Sequence, residues 1–184
     1  YKYEKIYCFE ANPEIYSYLI YKFNRTDINF FNYAIGNKNQ EVILNLYKED
    51  STNASVGNIF NKDADILRKI TVKMKKLSDI LSELNISYID LYLSDIEGND
   101  FTALKSLNSS MISQKKIKYI QVECCKNGIK NPYINLTNYE KNFDNLLSNN
   151  YIKIASGFGK LTPGIFNSQP TSYRFKDVLY KVKD

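Results

Sequence analysis

No histidine occurs in the 184 residues. Ser-His-Asp and Cys-His catalysis, and any His-ligated zinc site, are thereby excluded within these residues. Proton transfer falls to Asp, Glu, Lys or Tyr, or to a metal-bound group. Cysteine is scarce. Cys8, Cys124 and Cys125 are odd in number and irregular in spacing, which gives neither a disulfide framework nor a zinc pattern. Cys8 and Cys124 fall in or beside apolar runs and read as small buried residues. No apolar run approaches the ~20 residues needed to span a bilayer, and no secretory signal pattern opens the chain. The expectation is a cytoplasmic location without a membrane span.

Charge of one sign is not abundant either. The 25 basic and 20 acidic residues leave a net charge of +5. The clusters Lys73, Lys75, Lys76 and Lys115, Lys116, Lys118 read as solvated faces. Nucleic-acid binding calls for a concentrated basic and aromatic stripe, and none is seen, so it is not expected. The hydrophobic fraction of 43% is that of a globular chain, and the length suits one domain with a substantial core.

Apolar runs alternate with helical patterns along the chain. Strands are predicted over Ile6 to Phe9, Ile28 to Ile35, Glu41 to Tyr47, Ile70 to Met74, Ile89 to Leu93, Ile117 to Val122, Tyr151 to Ala155 and Phe175 to Val182. Helices are predicted after Asn12-Pro13-Glu14, after a Ser78-Asp79 cap, through Phe101, Leu104 and Leu107, and over Asn138 to Ser148. That order predicts an α/β sandwich with a largely parallel sheet and an antiparallel ending.

Three predicted strands end in carboxylates. Tyr7-Cys8-Phe9 leads to Glu10, Leu91-Tyr92-Leu93-Ser94 to Asp95 and Glu97, and Ile120-Gln121-Val122 to Glu123. Open α/β sheets bind ligands at the carboxyl ends of their strands, so these acids point to a nucleotide-type cofactor with an acid, base or metal site beside it. Glu10 suits two adjacent hydroxyls held by charge-assisted hydrogen bonds, or else caps a helix. Asp95 and Glu97 suit proton removal from an attacking hydroxyl, or else cap the helix that follows. Asp95 with Glu123 would form a Mg²⁺ site.

Taken in order, several segments resemble the FkbM family of S-adenosylmethionine-dependent methyltransferases. They are Tyr7-Cys8-Phe9-Glu10-Ala11-Asn12-Pro13-Glu14, Asn32-Tyr33-Ala34-Ile35-Gly36, Leu77-Ser78-Asp79-Ile80-Leu81, Asp90 to Gly98, and Gln121-Val122-Glu123. The resemblance spans roughly residues 6 to 125. It implies a Rossmann-like class I methyltransferase sandwich that moves a methyl group from S-adenosylmethionine to an oxygen of a sugar, glycan or small metabolite. It also implies cofactor contacts from Glu10 and Asn12, with Asn32, Ala34 and Ile35 near the adenine, and catalysis by Asp95 and Glu97. The family's glycine-rich strand and turn, expected ahead of Tyr7, are not among these residues. The expectation is a single domain over residues 1–184 whose first strand lies outside them. Leu93-Ser94 replaces the family's usual Lys before the acidic motif, and Ala11 the usual proline after Phe-Glu.

Acceptor contacts are expected from two irregular segments, residues 48–69 and 155–174. Phe158, Phe166 and Tyr173 in the second would stack on a sugar face or cover the core. A competing expectation is a non-catalytic module of the same fold, serving assembly or glycan binding.

Overall fold

A computed structural model describes residues 4–47, 54–57, 66–131, 133–157 and 175–184. Phe158, Phe166 and Tyr173, and most of both expected acceptor segments, lie outside the described residues.

Strand β1 (Ile6–Phe9) runs parallel to β2 (Ile28–Phe31), with Ile6 opposite Ile28 and Phe9 opposite Phe31. Parallel neighbours need a crossover, here helix α1 (Pro13–Lys22). Asn12 starts it as the sequence predicts. Its side-chain oxygen accepts the Glu14 N–H at 3.0 Å, and Pro13 occupies the first turn, where no N–H is required.

The single strand predicted over Ile28 to Ile35 is two strands in different sheets. β2 stops at Phe31, and β3 (Ala34–Gly36) begins a second sheet. Asn32 sits at the break. Its amide donates to the carbonyls of Glu10 at 2.8 Å and Ala11 at 3.1 Å. A side chain thus serves carbonyls just past the end of β1, and the backbone of residues 32 and 33 leaves the ladder.

The second sheet also contains β4 (Gln40–Leu46), the two-residue β5 (Ala54–Ser55) and β6 (Arg68–Lys76). Its order is β3-β6-β4-β5, with only the β3–β6 pair parallel. Period-two alternation puts Leu44, Leu46, Val72 and Met74 with Ala34 into a small core. Helix α2 (Leu77–Glu83) follows directly. The expected Ser78-Asp79 cap is not formed. Lys76 precedes the helix, and both residues lie within its first turn, where Asp79 accepts from the Asn39 amide at 2.7 Å.

The third sheet carries the large core. β7 (Ile89–Ser94) is parallel to β8 (Ile117–Cys125). β10 (Phe175–Val182) is antiparallel to β8 and to β9 (Tyr151–Gly157), giving the order β7-β8-β10-β9. α2, α3 (Asp100–Lys105), a π-helical turn (Asn108–Ile112) and α4 (Glu140–Leu147) supply its remaining surface. Ile80, Leu104, Ile117, Ile120, Val122, Phe143, Leu147 and Val178 are buried together, and Phe101 meets Phe143 edge-on at 5.3 Å. Each such apolar side chain contributes roughly 1.5–3 kcal/mol. Cys124 is buried as expected, whereas Cys8 is only half-buried; Cys125 is buried as well.

The antiparallel ending occurs, but the largely parallel sheet does not. Among the described residues the two four-stranded sheets are mixed, and the remaining sheet is the parallel pair β1–β2. The antiparallel contacts are those of β4 with β5 and β6 and of β10 with β8 and β9.

Candidate active site

Most sequence-predicted site residues fall into two groups at the carboxyl ends of strands, and Ala34 and Ile35 belong to neither. Phe9, beside Glu10, packs on the same core as Tyr92 and Ile96, which flank Asp95. The first group is Glu10, Asn12 and Asn32. Glu10 Oε1 accepts the Asn12 N–H at 2.7 Å, and Asn12 itself is buried as the helix cap. Burial raises the Glu10 pKa, opposed by the N–H groups of Asn12 and Ala11. Ala34 and Ile35 are buried at successive positions of β3. Ala34 enters the small core and Ile35 the large one.

The second group is built on β7, β8 and β10. Asp95 follows the last residue of β7, and Glu123 lies one step beyond the Ser94–Val122 pair on β8. The chain then turns sharply. Glu97 has φ 52° and Gly98 φ 92°, both left-handed. Glycine suits that conformation, and a Cβ at Gly98 would also strike the Tyr133 ring. Tyr133 packs in the space so left and donates its hydroxyl hydrogen to Glu97.

Below the turn, Asp100 is wholly buried at the start of α3. Its Oδ1 accepts from the Ser94 hydroxyl at 2.5 Å and from the Ile96 N–H at 3.2 Å. Its Oδ2 meets no partner among the described residues. On the far side of β8, Asp177 of β10 stands directly opposite Glu123. The Asn138 amide donates to the Glu123 carbonyl at 3.1 Å and its oxygen accepts the Phe101 N–H at 3.1 Å, which joins β8 to α3.

Crowded carboxylates resist ionisation. Burial, then the charges of Asp95, Asp100, Glu97 and Asp177, push the Glu123 carboxyl up to about 9. Burial and the Asp95 charge raise Asp100 to about 7, against the Ser94 hydrogen bond. Asp177 is raised by burial and by Asp95. Burial and the Glu97 charge raise the Tyr133 hydroxyl, so it stays a donor.

The expected Asp95–Glu123 metal site finds no support. Among the described residues no group of three His, Cys, Asp or Glu side chains is placed to hold a metal ion.

Sequence reasoning missed Tyr133, Asp177 and the buried role of Asp100. Glu97-Gly98 was the available signal for Tyr133, because a glycine at a strand-to-helix turn often admits a close neighbour. Asp177 was legible only as one of three charged positions, with Lys176 and Lys181, in the closing strand.

These elements define an α/β protein with acids gathered at the ends of strands β7 and β8. The family model of the FkbM methyltransferase domain matches residues 2–153, and the chain belongs to that family. Membership implies methyltransferase activity. No curated protein and no solved structure matches the chain. No helix among the described residues is long and apolar enough to cross a membrane.

Proposed function

We propose that the chain is an S-adenosylmethionine-dependent O-methyltransferase acting on a hydroxyl of a sugar or small metabolite. The observation that carries this is the pair Asp95 and Glu97 at the end of β7, with Glu97 fixed by Tyr133. The parallel pairs β1–β2 and β7–β8, each ending in carboxylates, support reading them as parts of a Rossmann-like arrangement.

Glu10 fits the ribose of the donor. It is a half-buried carboxylate oriented at a strand end by the Asn12 N–H, suited to adjacent hydroxyls. Asn12 and Asn32 hold the turn that carries it. When bound, S-adenosylmethionine supplies a methyl group whose bond to sulfur breaks with its electron pair left on sulfur. Asp95 or Glu97 takes the proton of the acceptor hydroxyl as that oxygen attacks. Tyr133 holds Glu97 in place, and Glu123 keeps its own proton at neutral pH.

Calorimetric titration of S-adenosylmethionine into the protein and its Glu10→Ala variant tests the reading. Donor affinity should fall by about 1.5–3 kcal/mol, the worth of hydrogen bonds to a charged group. Unchanged affinity in a folded variant removes Glu10 from the donor site. No binding to the unaltered protein sinks the proposed activity.

A further inference from the structure

Helix α3 lacks a cap of its own. Asn99 precedes it and makes no side-chain hydrogen bond to its first turn. The opening N–H groups of a helix have no partner inside it, so a buried helix start needs acceptors from elsewhere. One comes from thirty-seven positions away, where the Asn138 side-chain oxygen accepts the Phe101 N–H at 3.1 Å.

The other end of the same amide is also used. Its nitrogen donates to the Glu123 carbonyl at 3.1 Å, near the end of β8. Asn138 is wholly buried, and its own carbonyl accepts the Cys125 N–H at 2.7 Å, beside a parallel bridge between Cys125 and Tyr139. Its backbone is thus held on β8, and its side chain reaches from there to α3. A donor facing a carbonyl and an acceptor facing an N–H fix which way the amide points. The same stretch of chain meets the β7–α3 connection at two more points. Tyr133 donates to Glu97, and Phe143 packs edge-on against Phe101.

We infer that Asn138 is a positioning residue, which fixes the start of α3 against β8 and thereby holds Glu97 at the Tyr133 hydroxyl. For what Glu97 does there, the inference rests on the proposed methyl transfer. Without the amide, the Phe101 N–H and the Glu123 carbonyl lose these partners, and the turn that carries Glu97 relaxes away from Tyr133.

The test is a double-mutant cycle on stability, read by urea unfolding, with Tyr133→Phe as the probe of the Glu97 contact. In the unaltered protein that change should lower the folding constant about 10- to 100-fold. In the Asn138→Ala background it should cost about 3-fold or less, because the contact is already lost. Costs that agree within about 2-fold in the two backgrounds overturn the inference, since Asn138 would then stabilise the fold without placing Glu97.

Asn138→Asp supplies a rescue, and stands in for the alanine variant if that one does not fold. Protonated, the new carboxyl accepts from Phe101 and donates to the Glu123 carbonyl as the amide does; ionised, it has no donor. Burial favours the protonated form at low pH. At about pH 5 the Tyr133→Phe cost in this background should match that in the unaltered protein at the same pH, and by about pH 9.5 it should fall to about 3-fold or less. A small cost at the lower pH, or a full cost at the higher one, overturns the inference. Calorimetry of S-adenosylmethionine with the folded variant should give a donor affinity within about 3-fold of the unaltered protein's. A larger loss assigns Asn138 to the donor site and overturns the inference too. Failure of the unaltered protein to bind the donor removes the methyl transfer and not the placement of Glu97, which the cycle reads without donor or acceptor.

Discussion

Tyr133 donates its hydroxyl hydrogen to Glu97, thirty-six positions earlier in the chain. The contact spans from the loop before α4 to the turn after β7, so it fixes a site carboxylate from outside its own element. Its geometry depends on the left-handed Glu97-Gly98 turn.

Tyr133→Phe keeps the ring and removes the hydroxyl. Stability should fall by about 1.5–3 kcal/mol in urea unfolding, because a half-buried carboxylate loses a charged hydrogen bond. Methyl transfer should slow as well, with donor affinity retained. An unchanged unfolding midpoint would show that Glu97 finds an equal partner elsewhere.

Gly98→Ala meets two obstacles, a φ of 92° and the Tyr133 ring. The backbone alone costs about 1–3 kcal/mol for a residue with a Cβ. Thermal unfolding should register a larger loss than Tyr133→Phe. In the double variant Gly98→Ala/Tyr133→Ala the ring is gone, and the conformational cost should remain. Full recovery of stability there would mean that the ring, rather than the backbone, sets the requirement for glycine.

Asp95→Asn and Glu97→Gln separate base from scaffold. The residue that takes the proton should lose roughly 10²–10⁴-fold in kcat with donor affinity nearly intact. Wild-type turnover in both variants would exclude them from the chemistry.

Glu123 couples the fold to pH. Its carboxyl holds a proton up to about 9 when folded, against an ordinary 4.5. Between those values the folded state binds more protons than the unfolded one. Stability is therefore full below about 4.5 and is lost as pH rises through about 9, by up to about 1.4 kcal/mol per pH unit. Asp100 acts in the same sense between 3.8 and about 7. Urea unfolding from pH 5 to 8.5 should show this decline, and Glu123→Gln should flatten it. Identical slopes in both proteins would contradict the burial of a protonated Glu123.

Local signals in the sequence located most elements. Asn12-Pro13-Glu14 marks the start of α1 because cap and proline act within one turn. Tyr7 to Phe9 and Leu91 to Leu93 mark β1 and β7 because apolar β-prone runs end there at carboxylates. Pairing was less legible. The break at Asn32 depends on carbonyls more than twenty residues away, which no local period contains. The acids Glu10, Asp95, Glu97 and Glu123 were visible as strand ends. Asp177 and Tyr133 were not, because the register of β10 on β8 and the packing against Gly98 bring them in from distant segments.

β3 is only three residues long, yet its successive residues Ala34 and Ile35 anchor in different cores. The small sheet cannot peel away by itself, since opening β3 from β6 also withdraws Ile35 from the apolar mass around Ile80 and Leu104. Backbone amides of β3 should therefore exchange with solvent more slowly than so short a strand alone would allow, because freeing it costs contacts in both cores.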